Sequence, residues 1–111
     1  MRIVFPTVEN LSYMSNVAPD VKEANYFTVL NLSGQTISSV ELMKNRIHEN
    51  VEDEIVKLFK SNNFNVLIVP HIDNQLEKKL KNVGISIFTE EKRKKVLGLY
   101  SDFVQDKLKK I

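Results

Sequence analysis

Cysteine is absent from the chain, and glycine and proline number three each among 111 residues. Without cysteine there is no disulfide, no thiolate nucleophile and no Cys-ligated zinc or iron–sulfur site. No phosphate-binding glycine loop, nucleophile elbow or His-Glu-x-x-His segment occurs, so the common enzyme signatures are missing. No apolar run approaches the roughly 20 residues that span a bilayer. Met1-Arg2-Ile3-Val4-Phe5-Pro6 has neither the long apolar stretch nor the cleavage site of a signal peptide, which predicts a cytoplasmic protein.

What is present is ordinary for a globular protein: 42% hydrophobic and 27% charged residues. The length predicts one domain, residues 1–111, with one core. Net charge is +2, unevenly spread. Residues 1–75 hold 6 Lys/Arg and 9 Asp/Glu, whereas residues 76–111 hold 10 and 5. The basic second half hints at an anionic partner.

The most informative stretch is Asn65 to Asn74. Val66-Leu67-Ile68-Val69 reads as a strand buried on both faces. Pro70 ends its pairing, and Asp73 or Asn74 caps a helix from about Gln75 to Asn82. Asn74 and Glu77 have the spacing of a capping box, and Gly84 suits the position just past the helix end. Before this stretch come strands at 2–6, Tyr26–Leu32 and Thr36–Met43. The last two form a hairpin about Ser33-Gly34-Gln35. Asn50 precedes a helix over Val51–Ser61, with Val51, Ile55, Leu58 and Phe59 as its apolar stripe. Residues 7–24 form a long loop, pinned by Met14, Val17 and Val21. Ile85–Phe88 is a fifth strand. Thr89 is positioned to cap a last helix whose buried stripe is Val96, Leu99, Tyr100, Phe103, Val104 and Leu108.

The order of five strands and three helices, β β β α β α β α, constrains the topology. Right-handed crossovers make strands three, four and five parallel, and the hairpin sets strand two against them. The predicted fold is α/β, a five-stranded mixed sheet of order 3-2-1-4-5 with helices on both faces. One rim of that sheet then gathers the 7–24 loop, the His48 connection and Pro70–Asn74. A crevice is expected between strands one and four, where the chain changes direction.

His48 and His71 are the only histidines, and the topology assigns both to this rim. Neutral imidazole ligates iron, molybdenum, zinc or nickel, so both are candidate metal ligands. Asp73, Asp20 or Glu49 can add oxygen donors. The plainer reading is two surface histidines, with Asp73 serving as a helix cap. Thr7 and Asn25 are candidate hydrogen-bond donors into the crevice. Lys92-Arg93-Lys94-Lys95 is the densest basic run; it is read either as an attractor of anions or as a solvated helical face. A two-magnesium nuclease needs several carboxylates on core strands, and Glu41 stands alone there.

Several segments together resemble the dinitrogenase iron–molybdenum-cofactor-binding domain, the family of the nitrogenase accessory proteins NifX and NafY. They are Met1-Arg2-Ile3-Val4-Phe5-Pro6-Thr7, Ala24-Asn25-Tyr26-Phe27, Val66-Leu67-Ile68-Val69 with its loop and helix, and Leu80-Lys81-Asn82-Val83-Gly84-Ile85-Ser86-Ile87-Phe88. The resemblance implies a ribonuclease-H-like sheet and a non-enzymatic role in nitrogen fixation. That role is to hold or hand over an iron–molybdenum cofactor or related iron–sulfur cluster. The candidate cofactor-binding residues are those read from the chain itself, His48, His71, Asp73, Thr7 and Asn25, with His48 and His71 on the metal. The implied partners are that cluster and a cluster-assembly or acceptor protein. Where family members often carry His-Phe-Gly-Arg, this chain reads Asp20-Val21-Lys22-Glu23. Where they have a Gly-rich turn, it reads Pro70-His71-Ile72-Asp73-Asn74-Gln75. The alternative is a diverged member that binds no metal and acts as a protein-interaction or regulatory module.

Overall fold

The computed structural model describes residues 1–111. Its strands are β1 (Arg2–Thr7), β2 (Tyr26–Ser33), β3 (Thr36–Lys44), β4 (Val66–Ile68), β5 (Ser86–Thr89) and β6 (Lys109–Lys110). Its helices are α1 (Val51–Ser61), α2 (Asn74–Asn82) and α3 (Val96–Val104), with a 3-10 turn at Ser12–Met14. The sheet order is β3-β2-β1-β4-β5-β6. β1 pairs antiparallel with β2 and parallel with β4, and β4 pairs parallel with β5.

Period-two alternation divides the strand side chains between two cores. Val4, Phe27, Val29, Leu67 and Ile87 pack on one face under Ile55 and Phe59 of α1 and Leu76 and Leu80 of α2. Ile3, Phe5, Leu30, Val66 and Ile68 pack on the other under Val96 and Leu99 of α3. Phe59 anchors the first core, meeting Phe27 and Phe64 edge-on at centroid distances of 5.6 and 5.2 Å. Both crossover helices thus lie on one face and the last helix returns over the other.

The expected strand order is present, but with six strands rather than five. β6 adds antiparallel to β5, pairing Phe88 with Lys110 and Thr89 with Lys109. This changes the end of the chain. Thr89 finishes β5 instead of capping a helix, and α3 begins only at Val96, without a side-chain cap. The helix stops at Val104, and Asp106 turns the chain back with φ +61°. Val104 is accordingly 55% exposed, while Leu108 is buried beyond the helix rather than on it. The Asn50 cap and the Asn74–Glu77 capping box also change, while Asp73 is one of the two caps expected at α2. Asn50 precedes α1 in a left-handed conformation with no side-chain cap bond. At α2 the cap is Asp73, whose carboxylate accepts from the N–H groups of Gln75 and Leu76 at 3.2 and 3.3 Å. Glu77 therefore sits one residue too far on for a capping box.

Candidate functional site

The rim at the ends of β1, β4 and β5 is stitched from distant loops. Asn25 N–H donates to the Thr7 carbonyl, and Asn45 N–H to the Asn25 carbonyl, at 3.0 and 2.9 Å. His71 N–H donates to the Pro19 carbonyl at 3.2 Å. The 7–24 loop, the segment after β3 and the segment after β4 therefore meet at one rim.

The expected crevice between β1 and β4 is filled. Ala18 N–H bonds the Pro6 carbonyl at 2.9 Å, and Val17 and Ala18 are fully buried there. Two separate depressions result. One, of about 410 Å³, is lined by His71, Glu77, Glu90, Glu91, Lys107 and Lys109 among others. The other, of about 680 Å³, is lined by Asn25, Tyr26, Lys44, Asn45, Arg46 and His48, with Val8. The histidines thus line different depressions, which corrects the expectation of one shared crevice.

The other candidates divide as follows. Asn25 is at the His48 depression, its side-chain N–H₂ donating to the Val8 carbonyl at 3.1 Å. Thr7 is fully buried, and its hydroxyl pairs with the Thr28 hydroxyl at 3.1 Å inside the sheet. Asp73 is engaged as the α2 cap. The Leu76 N–H, followed by hydrogen bonding with Glu52, holds its carboxyl below the ordinary aspartate value. Asp20 accepts the Glu23 N–H at 2.8 Å. No three His, Asp or Glu side chains are grouped closely enough to hold a metal ion. The donor set therefore does not fit a full protein-supplied coordination shell.

Sequence reasoning passed over Lys44 and Arg46. The signal was available: Met43 and Ile47 alternate with Lys44, Arg46 and His48. Met43 and Ile47 pack on the α1–α2 core, while Lys44, Arg46 and His48 are exposed. Neither Lys44 nor Arg46 has an ion-pair partner. No acidic side chain lines this depression. Glu49 and Glu54 lie on its smaller neighbour, which shares Arg46 and His48. In contrast, the conspicuous run at 92–95 is largely occupied. The Arg93 guanidinium donates twice to the Val17 carbonyl, at 3.1 and 2.9 Å. Lys94 pairs with Asp102 at 2.6 Å, and Lys95 donates to the Met14 carbonyl. Arg93 and Lys95 thus hold the 7–24 loop beside the start of α3, while Lys94 is tied to Asp102 of α3.

The chain is a small mixed α/β protein with an open depression beside the strand ends, lined by Lys44, Arg46 and His48 and by no acidic side chain. The family model described as dinitrogenase iron-molybdenum cofactor matches residues 1–106, and the chain belongs to that family. The comparison with curated proteins finds no match. Among solved structures, the apo form of the orange protein from Desulfovibrio gigas superimposes with a TM-score of 0.85 at 15% identity, covering 99% of this chain and 92% of that one. The Thermotoga protein TM1290 gives 0.81 at 20% identity, covering 98% and 91%. MJ0327 of Methanocaldococcus jannaschii gives 0.73 at 22% identity, covering 100% and 94%. At such identities these likenesses carry the fold alone.

Proposed function

We propose that the chain, as one unit over residues 1–111 with a ribonuclease-H-like sheet extended by β6, is a non-enzymatic carrier. Its cargo is an iron–molybdenum cofactor or related iron–sulfur cluster, handed to or from a cluster-assembly or acceptor protein. Family membership supplies the cargo class, and the acid-free depression with Lys44, Arg46 and His48 is the observation that carries the reading. A preassembled cluster brings its own sulfides and a negative charge. Its carrier needs a terminal donor and counter-charge rather than a closed shell. His48 is the terminal nitrogen donor, Lys44 and Arg46 supply the charge, and Asn25 offers a hydrogen bond. His71 lines the second depression and is a reserve ligand there. Thr7 and Asp73 support the rim from within.

The test is anaerobic uptake of isolated iron–molybdenum cofactor, read as iron and molybdenum co-eluting with the protein. The wild type retains metal. The triple change Lys44→Ala, Arg46→Ala and His48→Ala weakens retention by about tenfold or more, whereas His71→Ala retains it. Loss with His71→Ala alone moves the cargo to the other depression. A wild type that takes up no cofactor overturns the carrier reading. It favours a metal-free interaction module, which the missing ligand cluster and the Pro70–Gln75 turn also suit.

A further inference from the structure

The two edges of the sheet are finished differently. β6 is two residues long and both are exposed lysines, an arrangement that repels further strands. β3 is nine residues long, and its backbone has partners only on the β2 side. It contains no proline. Of its charged residues, Glu41 is already tied to Arg2 and Asn31, and Lys44 lies at the far end. Leu42 is 46% exposed on the same face as the half-buried Val40 and Ile37. The 3-10 turn lies beside this strand, with Leu11 and Met14 exposed at 54% and 51%.

We infer that β3 is an interface for a second copy of this chain, the two β3 strands pairing antiparallel about a two-fold axis at Val40. The occupant follows from the strand's own pattern. Pairing about Val40 sets Glu41 against Ser39 and brings Leu42 beside the bulged Ser38. No like charges oppose each other, and Val40 and Leu42 of both copies share one face, while Met43 lies on the other. The bulge at Ser38, where Ser39 pairs with Asn31 and Ile37 with Leu32, leaves Ser39–Glu41 as the centre of the ladder.

The absence of cysteine makes the register directly testable. On the axis, the two Cβ atoms at position 40 lie about 4.5–5.5 Å apart. The mates at position 42 are four residues apart, roughly 13 Å along the strands. Single variants Val40→Cys, Leu42→Cys and the exposed helix control Ser61→Cys are oxidised at equal concentration. The expected result is a disulfide dimer forming about tenfold faster at position 40 than at the others. Sedimentation of the unmodified chain is expected to give a dimer mass. The pair Ser38→Lys and Leu42→Lys is expected to return it to a monomer with its far-ultraviolet dichroism unchanged. An unmodified chain that stays monomeric up to on the order of 100 µM overturns the inference and leaves the edge to a strand of another protein. A dimer that cross-links no faster at position 40 overturns it equally.

Discussion

Single residues sort themselves by whether their charge is already used. Arg93 looks from the sequence like part of an anion-attracting run, yet its guanidinium is occupied by the Val17 carbonyl. Arg46 looks unremarkable, yet nothing in the fold binds it. The two should respond oppositely to removal. Arg93→Ala leaves a buried carbonyl without its charged donor and should cost about 1.5–3 kcal/mol in urea unfolding, with cofactor uptake retained. Arg46→Ala should leave the unfolding midpoint within about 0.5 kcal/mol of wild type while weakening uptake. Equal losses of stability would mean that Arg46 is structural after all. Counting basic residues points to the 92–95 cluster, which the sequence leaves either as an attractor of anions or as a solvated face. Reading their alternation with Met43 and Ile47 would have found the other, because packing one side of an extended segment leaves the opposite side free.

At the scale of elements, legibility followed the strength of local signals. α1 spans the residues its apolar spacing predicts, since Ile55 and Phe59 recur at helical intervals on its buried face. α2 is set by Asp73 at one end and Gly84 at the other. α3 was misplaced because Thr89-Glu90-Glu91 imitates a helix start. Pairing of Phe88 and Thr89 with β6 won that competition, since it satisfies backbone groups that a helix would leave free. The glycines at two helix positions give opposite predictions. Gly84 has φ +89°, so Gly84→Ala should destabilise by about 1–2 kcal/mol although no atom lies within 4 Å of the added methyl group. Gly98 sits inside α3, where a methyl group would make ordinary contact with Lys94 at 3.8 Å. Gly98→Ala should therefore stabilise by about 0.5–1 kcal/mol. Urea denaturation of both variants checks the pair, and shifts of the same sign would contradict it.

At the scale of the whole molecule, the hairpin and the parallel crossovers make 3-2-1-4-5 the simplest strand order, which was readable before any coordinates, and handedness then puts both crossover helices on one face. β6 was not readable, because two lysines carry no strand pattern of their own. The site was half readable: topology gathers the rim loops, but only packing shows that Val17 and Ala18 fill its middle. The same rim and edges carry exposed polar and ionic contacts that make stability depend on pH at the acid and alkaline ends. Three carboxylates are held below their ordinary values. The Asn16 N–H acts on Glu9, the Asn31 side chain and then Arg2 on Glu41, and the Leu76 N–H and then Glu52 on Asp73. Each binds protons more readily in the unfolded chain. Their stabilisation is present above the ordinary values of 4.5 and 3.8, and is lost as pH falls through the lowered ones. Lys79, held by Glu52 and Asp53, and Lys94, held by Asp102, are raised above 10.5. Their contribution is complete below that value and disappears as pH rises through the raised ones. The urea midpoint should therefore be level from about pH 5 to pH 10 with respect to these groups, falling on both sides. Asp73→Ala should lower the neutral plateau and flatten the acid limb, because the α2 cap and its titration leave together, whereas Asp73→Asn should flatten the limb with less loss. A midpoint that rises between pH 5 and pH 3 would show that the carboxylates oppose the fold rather than join its parts.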